Sequence, residues 1–411
     1  MDATRAPAID GAAFAEDLRR LNELGRRDGA GGIFRVAFSS ADLAGRAYVE
    51  ERMRDLGLAV RRDEAGNTIG RLAGDDDRLP ALAIGSHTDT VPDGGRYDGS
   101  LGVVGALAVI RALHAAGGRL RHPIEVLNFV AEEATMGGGT FGSRAMTGQL
   151  EPASLTALAY DDRPVEAHLR EAGLEAGRVA GARRDPGELA AYLELHIEQG
   201  AVLWSAGERL GVVEGIVGIR RYRVEFTGRA NHAGTTPMAG REDALVAAAP
   251  FVTALRDLAI AAGVVGTAGT LRVEPGAANV IPGRVELGCE LRSVDEALLE
   301  TAESALRQLV ANLGGRLHAV SRKEPVRSDP VVMAALDTVV DGFGVPWRRL
   351  ASGAGHDAMS IANLAPQGML FVPSRDGVSH APDEHTTLED CLLGVRALLA
   401  ATLELDQRLP R

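Results

Sequence analysis

Lysine is almost missing from this 411-residue chain: Lys323 is the only one, and arginine carries nearly all the positive charge. With 44 basic against 56 acidic residues the formal charge is −12. Such a chain lacks the general basic face that nucleic-acid phosphates or an anionic membrane surface require, so neither is an expected partner. Cysteine is scarce as well. Cys289 and Cys391 stand without a CxxC spacing, which excludes a disulfide framework and leaves room for one pairing at most. No window approaches 18 uninterrupted apolar residues, and Met1–Ala13 shows no basic stretch leading into an apolar one. The expectation is therefore a cytoplasmic protein with neither a spanning helix nor a secretory signal. What is plentiful is glycine, 50 residues without a G-X-Y period, which points to many tight turns rather than a fibre. Hydrophobic residues at 45% and charged ones at 24% fit a folded globular chain, long enough for two or three domains.

The pattern predicts helical spacing from Phe14 to Leu58, broken at the glycine-rich stretch Gly29–Gly32, with caps at Ser39–Asp42. Short strands follow at Asn67–Gly70 and Ala81–Ile84, then a helix at Leu101–Ala116 and a buried strand at Ile124–Val130. Strand, helix, strand in this order implies a crossover unit in a largely parallel sheet. Near Gly211 the character changes. Tyr222, Val224 and Phe226 alternate with Arg221, Arg223 and Glu225, and helices at Arg241–Ala262 and Ser293–Leu313 with three further strands complete a βαββαβ-like set. From Ser328 the first pattern resumes. The fold class read from this is α/β: a mostly parallel-sheet domain with helices on both faces, over residues 1–211 and 328–411, with an inserted α+β sandwich over 212–327.

Candidate chemistry gathers at the expected strand ends. His87 and Asp89 follow one buried strand, Asp98 lies in a glycine-flanked turn beyond it, and Glu132–Glu133 follow the next strand. Imidazole and carboxylate among glycines suit a metal, since backbone can crowd the site. Taken singly, the His-x-Asp string also fits a capped turn, and the two glutamates also fit a helix cap. A parallel sheet would bring all of them to one edge. His196, beside an apolar alternation, and His380, in a loop followed by Asp383 and Glu384, complete the set. His196 alone also fits a core histidine.

Together these strings resemble the M20 metallopeptidase family, closest to its branch of N-carbamoyl-L-amino-acid hydrolases, allantoate amidohydrolases and β-ureidopropionases. The carriers run along nearly the whole chain: Gly85–Asp89, Gly94–Gly99, Glu132–Glu133, Gly142–Ala145, Glu194–Gly200, Asn231–Met238, Asn279–Gly283, Gly353–Ala358 and Ser379–His380. The resemblance implies two divalent ions (zinc, manganese, cobalt or nickel) bridged by Asp98, with His87 and His196 on one and Glu133 and His380 on the other. It implies Glu132 as general base, with Asp89 orienting His87. It gives the inserted domain a lid and dimerisation role. There Arg292 and Asn279, with Gln199 from the first domain, would hold a small carboxylate-bearing substrate. His232 would stabilise the oxyanion, often from the partner subunit of a homodimer, and His356 would lie near the substrate. The implied reaction is hydrolysis of a linear C–N amide in an N-carbamoyl or ureido acid. Hydrolysis of N-acyl amino acids or dipeptides is the alternative, and a non-catalytic metal-binding relative a further one. Two departures stand out: Ala134–Gly139 where a Gly-x-Arg-Phe-like stretch is expected, and Glu290-Leu291-Arg292 in place of Asp-x-Arg.

Overall fold

The computed structural model describes residues 7–27 and 31–410. Gly29 and Ala30 of the predicted glycine-rich break, and Met1–Ala6 of the N-terminal segment, lie outside the described residues. The chain forms two compact units, one running to Glu214 and resuming at Ser328, the other spanning Gly215–Arg327.

In chain order the strands are β1 (Ala59–Arg62), β2 (Thr68–Leu72), β3 (Ala81–His87), β4 (Ile124–Phe129), β5 (Leu189–Ile197), β6 (Leu210–Ile216), β7 (Gly218–Thr227), β8 (Val265–Glu274), β9 (Arg284–Ser293), β10 (Arg316–Lys323), β11 (Val326–Arg327), β12 (Trp347–Ser352) and β13 (Gln367–Val372). The large sheet has the order β1-β2-β4-β3-β5-β13-β6-β11, with β12 also paired to β6. Its four central strands, β4, β3, β5 and β13, are parallel, while both flanks are antiparallel. The predicted parallel sheet is thus the centre of a mixed one.

β3, β4 and β13 are buried along their whole length, as their continuous apolar runs require. In β5 the alternation sends Leu193, Leu195 and Ile197 into a core shared with Val103 and Leu107 of helix Ser100–Ala115 and Leu398 and Leu405 of helix Leu388–Arg408. Glu194 and His196 point the other way. There the Ala358 N–H of helix Asp357–Ile361 donates to Glu194 Oε2 at 3.3 Å. Helices therefore cover both faces. From β3 the chain crosses through helix Ser100–Ala115 to β4 on one side, and the next central strand, β5, lies on the other side of β3. A reversal of strand order opens a crevice at the carboxyl ends of the strands. His87 closes β3, Glu132–Glu133 follow β4, His196 lies at the end of β5, and His380 is in the loop after β13.

The second unit has the βαββαβ order, and its sheet β10-β7-β9-β8 is antiparallel throughout. Helices Ala244–Ala262 and Glu296–Asn312 bury Phe251, Leu255, Leu299 and Leu306 against Phe226, Val285 and Leu287 of that sheet. Asp243 and Asp295 cap them through side-chain bonds to two N–H groups each. Helix Ala244–Ala262 is long and apolar enough, by length and composition, to cross a membrane. One stripe of it, Ala248, Phe251, Leu255 and Ala259, is buried on the sheet.

The structure corrects the sequence reading at two places and answers a third that the sequence left open. The predicted boundary after Gly211 falls after Glu214, because Gly211, Val212 and Val213 still pair with β13. β1 and β12 went unpredicted because both are short and arginine-rich, so they lack an apolar period. Cys289 and Cys391 are buried free thiols in different units.

Candidate metal and catalytic centre

Asp98 is the point on which the strand-end residues converge. Its Oδ1 is 3.1 Å from His196 Nε2 and 3.5 Å from His87 Nε2. Its Oδ2 is 3.1 Å from His380 Nε2, which in turn is 3.5 Å from Glu133 Oε1. Three donor sets result among the described residues: His87, Asp98 and His196; Asp98, Glu133 and His380; and Glu194, His196 and His356. The first two share Asp98 and use its two oxygens separately. The third is a supporting layer. Glu194 is held by Ser86 Oγ (2.7 Å), Tyr192 Oη (3.1 Å) and the Ala358 N–H, and His356 Nε2 lies 2.8 Å from Ser352 Oγ.

The imidazoles are aimed by their other nitrogens. His196 Nδ1 sits 2.8 Å from the Ile197 carbonyl oxygen, and His87 Nδ1 sits 3.1 Å from that of Asp89. Each carbonyl takes an Nδ1 proton and leaves Nε2 facing Asp98, the arrangement of a metal-binding histidine. Asp89 was expected to orient His87 through the second ring nitrogen, and two of its groups face that nitrogen, its carbonyl and its carboxylate. That carboxylate is 3.7 Å from Nδ1, beyond hydrogen-bond reach, and instead accepts the Glu132 and Glu133 N–H groups at 3.2 Å each. Asp89 therefore orients His87 with its main chain and the two glutamates with its side chain.

Glu132 belongs to none of the donor sets, yet its Oε2 stands 3.7 Å from His87 Nε2. Gln199, expected at the substrate, donates from Nε2 to Asp98 Oδ2 at 2.7 Å and lies 3.3 Å from His380 Nε2. His356, also expected at the substrate, is buried edge-on behind His196 with ring centroids 4.6 Å apart. In the second unit, His232 is exposed and its Nδ1 accepts the Gly234 and Thr235 N–H groups. The Asn279 loop lies alongside, with the Ala233 N–H on the Asn279 carbonyl at 2.9 Å. Arg292, half-buried, donates to Glu290 Oε1 at 2.7 Å.

The first-unit cluster is short of positive charge. Asp89, Asp98, Glu132, Glu133, Glu194, Asp357 and Glu384 are all buried in this region. Burial opposes ionisation of Asp98, but hydrogen bonds with His196, His380 and His87 hold it well below the usual carboxylate range. Burial pushes Glu132 well up, with Asp357, Glu133 and Asp89 adding to the effect and His87 opposing it. Burial and the Asp98 charge push Glu133 up to about 8. Divalent cations among these oxygens and imidazole nitrogens would relieve that repulsion and return the carboxyls to their charged form. The donor chemistry, mixed nitrogen and oxygen, fits a first-row transition metal.

Comparison with known proteins agrees with this geometry. Residues 83–404 match the family described as peptidase family M20/M25/M40. The chain belongs to this family. Among its relatives, an N-carbamoyl-L-amino acid amidohydrolase of Geobacillus stearothermophilus is 38% identical over 97% of this chain and 99% of its own length. The allantoate amidohydrolase of Bacillus subtilis is 35% identical over 90% of this chain and 91% of its own. A solved hydantoinase/carbamoylase family amidase from Burkholderia multivorans superposes with a TM-score of 0.89 at 34% identity, covering 98% of this chain and 99% of that one.

Within the M20 frame, the departure at Ala134–Gly139 is closed by main-chain bonds: Thr135 N–H to Glu133 O and Thr140 N–H to Glu132 O, each 2.6 Å, and Tyr160 N–H to Thr135 O at 2.8 Å. Sequence reasoning missed two residues of this centre. Glu384 Oε1 accepts the Tyr97 N–H at 2.8 Å and the Asp98 N–H at 3.2 Å, while its Oε2 accepts Ser379 Oγ at 2.8 Å. It holds the Asp98 turn from behind, and its place four residues after His380 was the available signal. Glu194, two residues before His196, lies on the same face of β5 by alternation alone. Backbone strain marks the centre too: Ala131, Gln199 and His380 have φ of 50°, 58° and 56°.

Gly99 sits between Asp98 and the helix start with φ 60°, and a Cβ on it would fall against His87 Nε2. Gly99→Ala should add about 1–3 kcal/mol of backbone strain and displace His87. A chelator-competition titration should show metal affinity lowered at least tenfold in a chain that remains folded by circular dichroism.

Proposed function

We propose that this protein hydrolyses the linear C–N bond of an N-carbamoyl-L-amino acid or a related ureido acid with two divalent ions. The observation that carries the reading is Asp98, whose two oxygens serve two donor sets while Glu132, outside both sets, stands 3.7 Å from His87. The end-to-end likeness to relatives named for N-carbamoyl amino acids and allantoate supports the substrate class. His87, Asp98 and His196 would hold one ion, and Asp98, Glu133 and His380 the other; zinc, manganese, cobalt and nickel all suit these donors. When bound, the ions supply Lewis acidity, lowering the pKa of a water and polarising the scissile carbonyl.

Glu132 then takes the proton from the attacking water and returns it to the departing nitrogen. With a carbamoyl substrate, one water and one substrate yield the free amino acid, carbon dioxide and ammonia. Asp89 keeps Glu132 and Glu133 in place through their N–H groups. Gln199 donates to Asp98 and so fixes the orientation of the shared carboxylate. The burial of Asp89, Asp98, Glu132 and Glu133 strengthens their interactions, while His380 at the rim stays exposed.

The deciding experiment is a screen of N-carbamoyl, N-formyl and N-acetyl amino acids with Mn²⁺, Co²⁺, Ni²⁺ and Zn²⁺. Stoichiometric ammonia from the carbamoyl substrates is the expected result, and turnover of acyl substrates alone would replace this reading with an aminoacylase. Glu132→Gln should retain both ions by elemental analysis and lose about 10²–10⁴ in kcat, the range for removing a proton-transfer group.

Arg292 in the second unit is assigned to the substrate carboxylate, with Asn279 adding an amide and His232 the oxyanion contact. Glu290 Oε1 holds the guanidinium, and its planar fork is the shape that matches a carboxylate. Arg292→Lys keeps the charge and loses the fork, so kcat/KM on carboxylate substrates should fall by about 1.5–3 kcal/mol. An amidated substrate should show no such difference between parent and variant.

A homodimer built through the second unit completes the proposal. What supports it is the unpaired edge of β8, with Val265 and Leu271 exposed, together with Val246, Val252 and Ile260 exposed on helix Ala244–Ala262. If His232 serves the partner's centre, mixing Glu132→Gln chains with His232→Ala chains should restore one working site in each mixed dimer. Absence of recovery after verified subunit exchange would assign His232 to its own chain.

A further inference from the structure

Arg35 heads the fully buried side chains by size, with 0% exposure, and its side chain bonds to sequence neighbours of two donor residues, Thr88 and Ser100. Its Nε donates to the Thr88 carbonyl at 2.5 Å, its Nη1 to the Leu21 and Leu24 carbonyls at 2.7 and 2.9 Å, and its Nη2 to Ser100 Oγ at 2.9 Å. Thr88 lies between His87 and Asp89, and Ser100 follows Gly99 at the end of the Asp98 turn. One rigid plane therefore ties the strand end that presents His87 to the turn that presents Asp98. The main chain doubles the tie: the Arg35 N–H donates to Thr90 Oγ1 and the Thr90 N–H to the Arg35 carbonyl, each at 3.0 Å.

The chemistry is unusual for a core position. All four side-chain bonds go to carbonyls and a hydroxyl, none to a carboxylate. The charges it faces are Asp42, itself occupied by Arg46 and the Phe38 N–H, and Asp89. Burial lowers its pKa to about 10, which leaves it cationic at neutral pH. Sealing a guanidinium in the core costs far more than sealing an apolar side chain of similar size. What the guanidinium alone provides is five donors in a fixed plane, enough to join the helix Gly11–Glu23 end and both loops at once.

We propose that Arg35 is a positioning residue of the metal centre, setting the separation of the His87 and Asp98 loops and through them the donor set His87, Asp98 and His196. This rests on reading that cluster as a metal centre, but not on which acid is hydrolysed. The test uses the full chain stripped of metal, with Co²⁺ as the probe, comparing Arg35→Lys and Ser100→Ala with the parent. Lysine keeps the charge but reaches one acceptor where arginine reaches four, and the serine variant cuts one arm only. The expected result is a loss of Co²⁺ affinity of tenfold or more for Arg35→Lys and about threefold for Ser100→Ala. The visible Co²⁺ spectrum should change, and kcat should fall while KM moves less than twofold. Both variants holding Co²⁺ within twofold of the parent, with only the thermal midpoint lowered, would overturn the proposal and leave Arg35 a core brace. If Arg35→Lys does not fold, Ser100→Ala decides by the same criterion. A parent chain that binds no Co²⁺ would overturn the metal-centre reading itself, whereas a parent that binds it without releasing ammonia from carbamoyl substrates would overturn only the substrate class.

Discussion

A buried carboxylate shared between opposed imidazoles governs the first unit. Asp98 is too deep to ionise without partners, and its partners arrive from three different strands: His87 from β3, His196 from β5 and His380 after β13. The parallel centre of the sheet meets this requirement, because parallel strands deliver their carboxyl ends to a single edge. An antiparallel sheet of the same residues would place half of these groups at the opposite edge. The glycine at position 99, the Glu384 bonds to the Asp98 turn and the left-handed backbone at Gln199 and His380 all serve the placement of this one side chain.

Around that carboxylate the supporting layer is mostly main chain. Carbonyls of Asp89 and Ile197 set the two buried imidazoles, and N–H groups of Glu132 and Glu133 rest on Asp89. Main-chain groups on strand ends move little, so the donor atoms inherit the rigidity of the sheet. The hydrophobic core beneath, where Leu193, Leu195 and Ile197 pack under two long helices, sets the depth of His196. Packing and chemistry thus meet on a single strand, β5, with apolar residues on one face and Glu194 and His196 on the other.

This division also explains what could be read from the sequence. The strands bearing the donors were legible because buried parallel strands are continuous apolar runs, and the second unit because Tyr222, Val224 and Phe226 alternate cleanly. His87, Asp98 and Glu133 could be singled out because each follows such a run or sits among glycines, whereas His196 stood beside an apolar alternation and His380 in a loop followed by acids. Asp89 could be placed beside the second nitrogen of His87, but a residue letter does not say whether main chain or side chain makes the bond. Arg35 left no trace at all. It occupies an irregular segment with no period, and its partners Leu21, Thr88 and Ser100 are joined to it only by the tertiary fold. The strands β1 and β12 escaped for a different reason: each is short and arginine-rich, so Val60 and Trp347, which pack against the core, stand without a period.

The pairing of β6 with β11 has a consequence for ancestry and engineering. Ile216 lies opposite Val326 and Gly215 opposite Arg327, so the chain leaves for the second unit and comes back through neighbouring rungs of one ladder. A segment of more than a hundred residues is thereby spliced in at a point where its two ends already touch. Replacing residues 217–325 by a two-residue turn would convert that junction into an ordinary β-hairpin, at little cost in loop-closure entropy. Every donor to the two Asp98 sets lies outside the spliced segment. The second unit is in this sense a cassette, exchangeable without altering a single donor residue of the first.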